Sequence, residues 1–186
     1  MSFMIIKPGR LQGIYDITLT PNNDHRGYFT RMYDQNIMMA HGLHRNWLQE
    51  NRSFSRQKGT IRGLHFQFKP HAETKLIWVS KGAILDVFVD VRTDSPTFGS
   101  YDSKLLTEDN FAMLYISPGF AHGFCTLSDN CEVVYKVDHM YSPDHEGGIL
   151  WNDPALNIPW PVQEPIISAK DQKLLPLDKL TKERLR

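Results

Sequence analysis

Cysteine, charge imbalance and long apolar runs are all scarce in this chain of 186 residues. Only two cysteines occur, Cys125 and Cys131, and their spacing matches neither a zinc pair nor a redox Cys-x-x-Cys. That argues against a disulfide scaffold and points to a reduced, cytoplasmic setting. No apolar run reaches the roughly eighteen residues that a membrane helix needs, and Met1–Gly9 lacks the apolar core of a signal peptide. A soluble protein with no membrane partner is expected. Lysine plus arginine and aspartate plus glutamate both number 21, so the formal net charge is zero. Such a balance gives no bulk attraction to nucleic acid, while a local basic pocket for a phosphorylated small molecule stays open.

Helical periodicity is nearly missing too. Asp34–Leu43 predicts one helix, with Asp34 as N-cap and Gly42 near its end. Ser168–Leu175 predicts a second, short one, stopped by Pro176. What fills the chain instead is period-two patterning. Strands are predicted at residues 13–20, 28–33 and 47–55, at Ala83–Arg92, Ala112–Ile116, Gly123–Leu127 and Cys131–Val137, with turn chemistry between them. Ala83, Leu85, Val87, Val89 and Val91 make one apolar face, and Ile84, Asp86, Phe88, Asp90 and Arg92 a mixed one. Many short strands with so little helix predict an all-β barrel or sandwich, the jelly roll first among them. With no repeat, linker or low-complexity tract, residues 1–186 read as one domain with an N-terminal strand arm and a short helical tail.

The stretch Gly59–Gln67 organises the rest. From Gly63 onward, Leu64, Phe66 and Phe68 point one way, and His65 and Gln67 the other. In a closed β structure that turns His65 inward, where its near-neutral pKa suits a catalytic base. Asp171 could support the far ring nitrogen, Lys75 could stabilise an enolate oxygen, and Tyr135 could donate a proton from the opposite side. Each has a plainer reading. His65 could be structural, Ser168-x-x-Asp171 is a capping box, Lys75 could end a strand in solvent, and Tyr135 could belong to the core. A metal centre is disfavoured, because Gln67 stands two after His65, with His71, Glu73 and His122 scattered beyond it.

Taken together the motifs resemble the nucleotide-sugar 3,5-epimerase family, the dTDP-4-dehydrorhamnose 3,5-epimerases. The resemblance runs from about Gly13 to Pro161 and returns at Ser168–Asp171. It rests on Arg26-Gly27-Tyr28-Phe29, Gln49-Glu50-Asn51-Arg52-Ser53, Ile61-Arg62-Gly63-Leu64-His65-Phe66-Gln67 and Lys75-Leu76. It continues through residues 86–92 and Ser95-Pro96-Thr97-Phe98-Gly99, then Pro118-Gly119-Phe120-Ala121-His122-Gly123-Phe124 and Trp151-Asn152-Asp153-Pro154.

The resemblance implies a cupin-type jelly roll, a homodimer, and no metal or redox cofactor. His65 would remove a proton α to a 4-keto group, Asp171 would orient it, Lys75 would face the enolate, and Tyr135 would reprotonate the opposite face. Arg26, Arg62 and His122 would line the substrate site, with the arginines suited to diphosphate. Phe29, Gln49, Asn51 and Tyr141 would complete the nucleotide and sugar contacts. Simple alternation puts Arg62 opposite His65, so an irregular strand start at Gly63 is required.

Two positions depart from the family pattern. Arg31 stands where an acidic residue commonly pairs with the thymine edge, which opens the site to cytosine or guanine. Glu73 replaces a glutamine two residues before Lys75. The expected activity is epimerisation of a nucleoside-diphosphate 4-keto-6-deoxyhexose at C3 and C5, or at C3 alone. A metal-dependent cupin oxygenase and a non-catalytic sugar-nucleotide-binding module are the rivals.

Overall fold

A computed structural model describes residues 3–180; residues 1–2 and 181–186, included in the expected domain, lie outside it. In chain order the elements begin with β1 (Met4–Pro8), β2 (Ile14–Leu19), the hairpin β3 (Asn22–Asp24) and β4 (Gly27–Phe29), and α1 (Gln35–Ala40). Then come β5 (Gln49–Ser55), β6 (Ile61–Gln67), β7 (Lys75–Lys81), β8 (Ala83–Asp90) and β9 (Tyr101–Thr107). The last are β10 (Ala112–Ile116), β11 (Phe120–Thr126), β12 (Cys131–Val137) and β13 (Glu146–Gly148). Two antiparallel sheets result, ordered β1-β2-β10-β7-β12-β5 and β13-β6-β11-β8-β9. The protein is an all-β, cupin-like jelly roll, and no helix among the described residues is long and apolar enough to cross a membrane.

Strand alternation divides the side chains into three buried layers. Between the sheets lie Ile77, Val79, Leu114 and Val133 from one side and Ile84, Phe88, Leu106 and Phe124 from the other. Outside the second sheet, Leu64, Phe66, Val87 and Val89 pack under Ile149, Leu156, Ile158 and Leu177 of the C-terminal segment. Outside the first sheet, Ile17, Leu76, Met113 and Tyr115 pack under Met38 and Leu43. Each fully buried aliphatic side chain contributes about 1.5–3 kcal/mol relative to exposure. The wholly apolar face of β8 therefore meets the C-terminal segment, and its mixed face, with Asp86, looks between the sheets.

Several elements are shorter than their patterns predict. The α1 helix ends at Ala40; Asp34 caps it by accepting from the Asn36 and Ile37 amides at 3.0 and 3.2 Å. The strand expected over residues 28–33 stops at Phe29, because β4 pairs only with β3 and the chain then leaves for the helix cap. Where a helix is expected over Ser168–Leu175, a 3₁₀ turn forms instead, Asp171–Lys173. Ser168 Oγ accepts from the Asp171 amide at 3.1 Å, but the Asp171 carboxylate turns away toward β6, so the capping box is half made. By contrast β11 starts early, at Phe120, since Phe120, Ala121 and His122 find partners on β8.

The proline-rich stretches are clasps rather than strands. Trp160 Nε1 donates to the Trp151 carbonyl at 2.7 Å. The buried Asp153 accepts from the Ala155 and Leu156 amides and, at 2.6 Å, from that of Leu177. This ties the C-terminal segment down over the second sheet.

Candidate active site

The same parity that sends apolar residues between the sheets also sends polar ones there. His65 comes from β6, Lys75 from β7, Tyr135 from β12 and His122 from β11, with Gln49, Asn51 and Ser53 along β5. They line a cleft in two lobes of about 520 and 330 Å³, with His65, Lys75 and Tyr135 on the wall that both share.

The irregular strand start that Arg62 requires is present. His122 pairs with His65 and Phe124 with Arg62, so β6 advances three residues while β11 advances two. A bulge of one residue results. Gly63 takes φ +117°, and a Cβ there would stand 2.6 Å from Gly123 Cα and 2.7 Å from the His122 carbonyl oxygen. Only glycine fits. The bulge lets Arg62 and His65 line one lobe, where Arg62 donates to Ser55 Oγ at 3.1 Å and to the Phe54 carbonyl at 2.9 Å.

His65 Nε2 lies 2.8 Å from Asp171 Oδ1, and the other carboxylate oxygen accepts from the Gly63 amide at 3.2 Å. Burial pushes the Asp171 carboxyl up, but the His65 hydrogen bond and charge, with the Gly63 and Ser168 bonds, outweigh it and hold the group below its ordinary value. An ionised Asp171 places the proton of a neutral His65 on Nε2 and leaves Nδ1 as the basic nitrogen. Tyr135 titrates above the usual tyrosine value, through burial first and then the negative charge of Glu73, with Arg62 opposing. It remains a proton donor. Lys75 Nζ lies 3.2 Å from Glu73 Oε1 and is largely buried, so a cation is held at the wall between the lobes.

A second histidine–carboxylate pair sits beside the first. His122 Nε2 is 2.8 Å from Asp86 Oδ2, and Asp86 is wholly buried. Burial raises the Asp86 pKa, with His122 and Lys75 opposing.

Tyr141 and Gln49 meet in the second lobe, where the Tyr141 amide donates to Gln49 Oε1 at 2.9 Å. Gln67, weighed above as a failed metal ligand, is a tie. Its amide nitrogen donates to the His71 carbonyl and Glu73 Oε2, each at 3.0 Å, and its oxygen accepts from the Ser142 amide at 2.6 Å. Among the described residues no group of three or more His, Cys, Asp or Glu could hold a metal ion.

Three of the sequence-predicted residues are elsewhere. Arg26 and Phe29 lie on the exposed β3–β4 hairpin, where Arg26 pairs with Asp24 at 2.6 Å. Arg31 pairs with Asp34 at 3.0 Å and stacks over the Phe3 ring. None of the three lines either lobe.

Conversely, Asp86, Glu146 and Lys170 belong to the site and were not among its expected residues. Glu146 Oε2 accepts from Tyr141 Oη at 2.8 Å and from Lys170 Nζ at 2.6 Å, which joins two loops at the cleft. Asp86 carried a readable signal, a carboxylate inside an otherwise apolar strand pattern. Lys170 lies in an irregular segment and Glu146 opens the three-residue β13, too short for periodicity to mark direction.

The jelly-roll fold thus brings a histidine–aspartate pair, a lysine and a tyrosine to one cleft. Residues 8–179 match the family model described as dTDP-4-dehydrorhamnose 3,5-epimerase. A Shigella flexneri protein named dTDP-4-dehydrorhamnose 3,5-epimerase is 46% identical over 149 residues, 80% of this chain and 82% of that protein. The crystal structure of a Bacillus anthracis protein of the same name, with TDP and PPi bound, superposes with a TM-score of 0.90 at 47% identity. That match covers 92% of this chain and 98% of the other. A Streptomyces niveus protein named dTDP-4-dehydrorhamnose 3-epimerase is 35% identical over 92% of this chain and 83% of its own length. The chain belongs to the dTDP-4-dehydrorhamnose 3,5-epimerase family and is an isomerase acting on carbohydrate.

Proposed function

We propose that the chain epimerises a nucleoside-diphosphate 4-keto-6-deoxyhexose at C3 and C5, drawing base, cation and acid from its own side chains. The observation that carries this reading is the His65–Asp171 pair sharing one wall with Lys75 and Tyr135. Protons at C3 and C5 both flank the C4 ketone, so removing either gives an enolate with its charge on O4. His65 Nδ1 takes the proton and becomes imidazolium beside the ionised Asp171. Lys75 faces the developing oxyanion, which a water-poor cleft makes worth several kcal/mol, about 2.7–4 for a single donor in comparable sites. Tyr135 then delivers its proton to the opposite face, and the centre is inverted. Exchange with solvent resets both groups before the second centre reacts. Arg62, with His122 beside it, suits the diphosphate.

The reading extends to assembly and setting. Residues 1–186 act as one catalytic domain in a homodimer, where the exposed Arg26 and Phe29 and the half-buried Arg31, none of which lines its own cleft, would serve that of a second copy. Two buried free thiols, Cys125 and Cys131, fit a reducing cytoplasm. The dTDP-sugar is favoured by the names of the relatives, while Arg31 makes CDP- and GDP-sugars the necessary comparison.

Proton NMR in deuterated water, with dTDP-, CDP- and GDP-4-keto-6-deoxyglucose in turn, tests the whole reading. Deuterium at both C3 and C5 with inversion is expected, and His65→Asn should abolish it. Label at C3 alone would support the second reading, a 3-epimerase, which the similarity to the Streptomyces niveus protein favours. No exchange with any of the three, in folded protein, would sink the proposal.

A further inference from the structure

Glu73 is a largely buried charge of the cleft that the roles above leave unused. It stands just before β7, with Oε1 at 3.2 Å from Lys75 Nζ and Oε2 accepting from Gln67 Nε2 at 3.0 Å. Gln67 is itself held between the His71 carbonyl and the Ser142 amide, so the carboxylate is locked in one direction. That direction is the second lobe, on the wall with Lys75 and Tyr135.

Resting on the epimerase reading above, we propose that Glu73 is a positioning residue that sets the balance between proton exchange and inversion, through its contact with Lys75 and the negative charge it turns toward Tyr135. The enolate has two fates. It can recover its proton, exchanged with solvent, from the His65 imidazolium, which restores the original centre. Or it can take a proton from Tyr135, which inverts it. A carboxylate facing the phenol disfavours phenolate and slows the second route, and the same carboxylate beside Lys75 weakens the field on O4. Glu73 thus tilts the enolate toward return. The other titratable and charged groups that line the cleft with Tyr135 are Lys75 on β7, Arg62 and His65 on β6, Tyr141 after β12, Glu146 on β13, and His122, Lys170 and Asp171 across it. Of these, Lys75 is the one that Glu73 touches.

Glu73→Gln keeps the volume and an acceptor for Gln67 but removes the charge. Glu73→Asp keeps the charge and withdraws it by one methylene. In deuterated water, NMR measures label in recovered substrate against label in inverted product within one sample. The ratio is independent of how much enzyme is folded. For Glu73→Gln it should fall roughly three- to tenfold, and the alkaline limb of the inversion profile should move down by about one pH unit, the size a single nearby charge exerts. Glu73→Asp should lie between Glu73→Gln and the natural chain. An unchanged ratio and pH profile in a natural enzyme that turns over would overturn this proposal alone, even if both variants lost rate. No exchange by the natural enzyme would overturn the epimerase reading and this one with it.

Discussion

Two histidine–aspartate pairs face each other across β6 and β11, built from the same groups at the same 2.8 Å separation. His65 keeps 29% of its side chain exposed, and Asp171 accepts from His65, from the Gly63 amide and stands within the Ser168 turn. Its carboxylate is satisfied on both oxygens and titrates low. Asp86 has no exposure at all, and its Oδ1 has no hydrogen-bond partner among the described residues. Its carboxylate titrates high. The chemistry of a pair is thus set less by its members than by how completely the surroundings replace water. In the proposed reaction the first pair accepts the substrate proton, and the second holds an imidazole in place.

The largest effect should come from taking the charge out of the first pair. Asp171→Asn keeps the shape but no longer favours the Nε2–H tautomer, so turnover should drop by about 10²–10⁴-fold, measured as kcat in steady-state epimerisation. A loss below tenfold would dissolve the distinction between the pairs. Asp86→Asn should act mainly on binding, raising KM for the nucleotide sugar about tenfold, or about 1.4 kcal/mol, with kcat changed less. Equal loss of kcat would instead place both pairs in the chemistry.

Stability should separate the pairs most gently, and with opposite sign. The folded pKa of Asp171 is lowered, so its contribution is present above the ordinary aspartate value of about 3.9 and is lost as pH falls through the lower folded value. For Asp86 the folded value is raised, so folding binds the extra proton and stability declines as pH rises from about 3.9 toward that raised value. Melting temperatures between about pH 2.5 and 7, as differences from the natural chain, check both. Asp171→Asn should flatten the acid-side loss, and Asp86→Asn should flatten the decline above it. Parallel difference curves would contradict the assignment.

Much of this was legible because alternation is a local property. The period of two in residues 63–68 and 131–137 puts His65 with Gln67, and Tyr135 with Cys131 and Val133, on one face before any partner strand is known. The need for a bulge at Gly63 follows from the same parity, and the register shift between β6 and β11 is that bulge. Helix lengths were read too long for a related reason. Asp34 and Ser168 mark starts through local hydrogen bonds, whereas the ends are decided by α1 stopping at Ala40 and by Asp171 being drawn to His65. Glu146 and Lys170 escape such a reading because a three-residue strand and an irregular segment carry no readable direction in the sequence.

By itself, then, the chain determined which side chains look inward, that the strands form two sheets with little helix, and which base, cation and acid could cooperate. Each of those follows from alternation, turn chemistry and side-chain type within a few residues. Only the tertiary structure decided that the apolar face of β8 meets the C-terminal segment, that Asp86 backs His122, that Glu73 touches Lys75, and that Arg26, Phe29 and Arg31 stand away from their own cleft. These depend on contacts between segments far apart in the chain. Their distances and desolvation exist only once the two sheets have closed on each other.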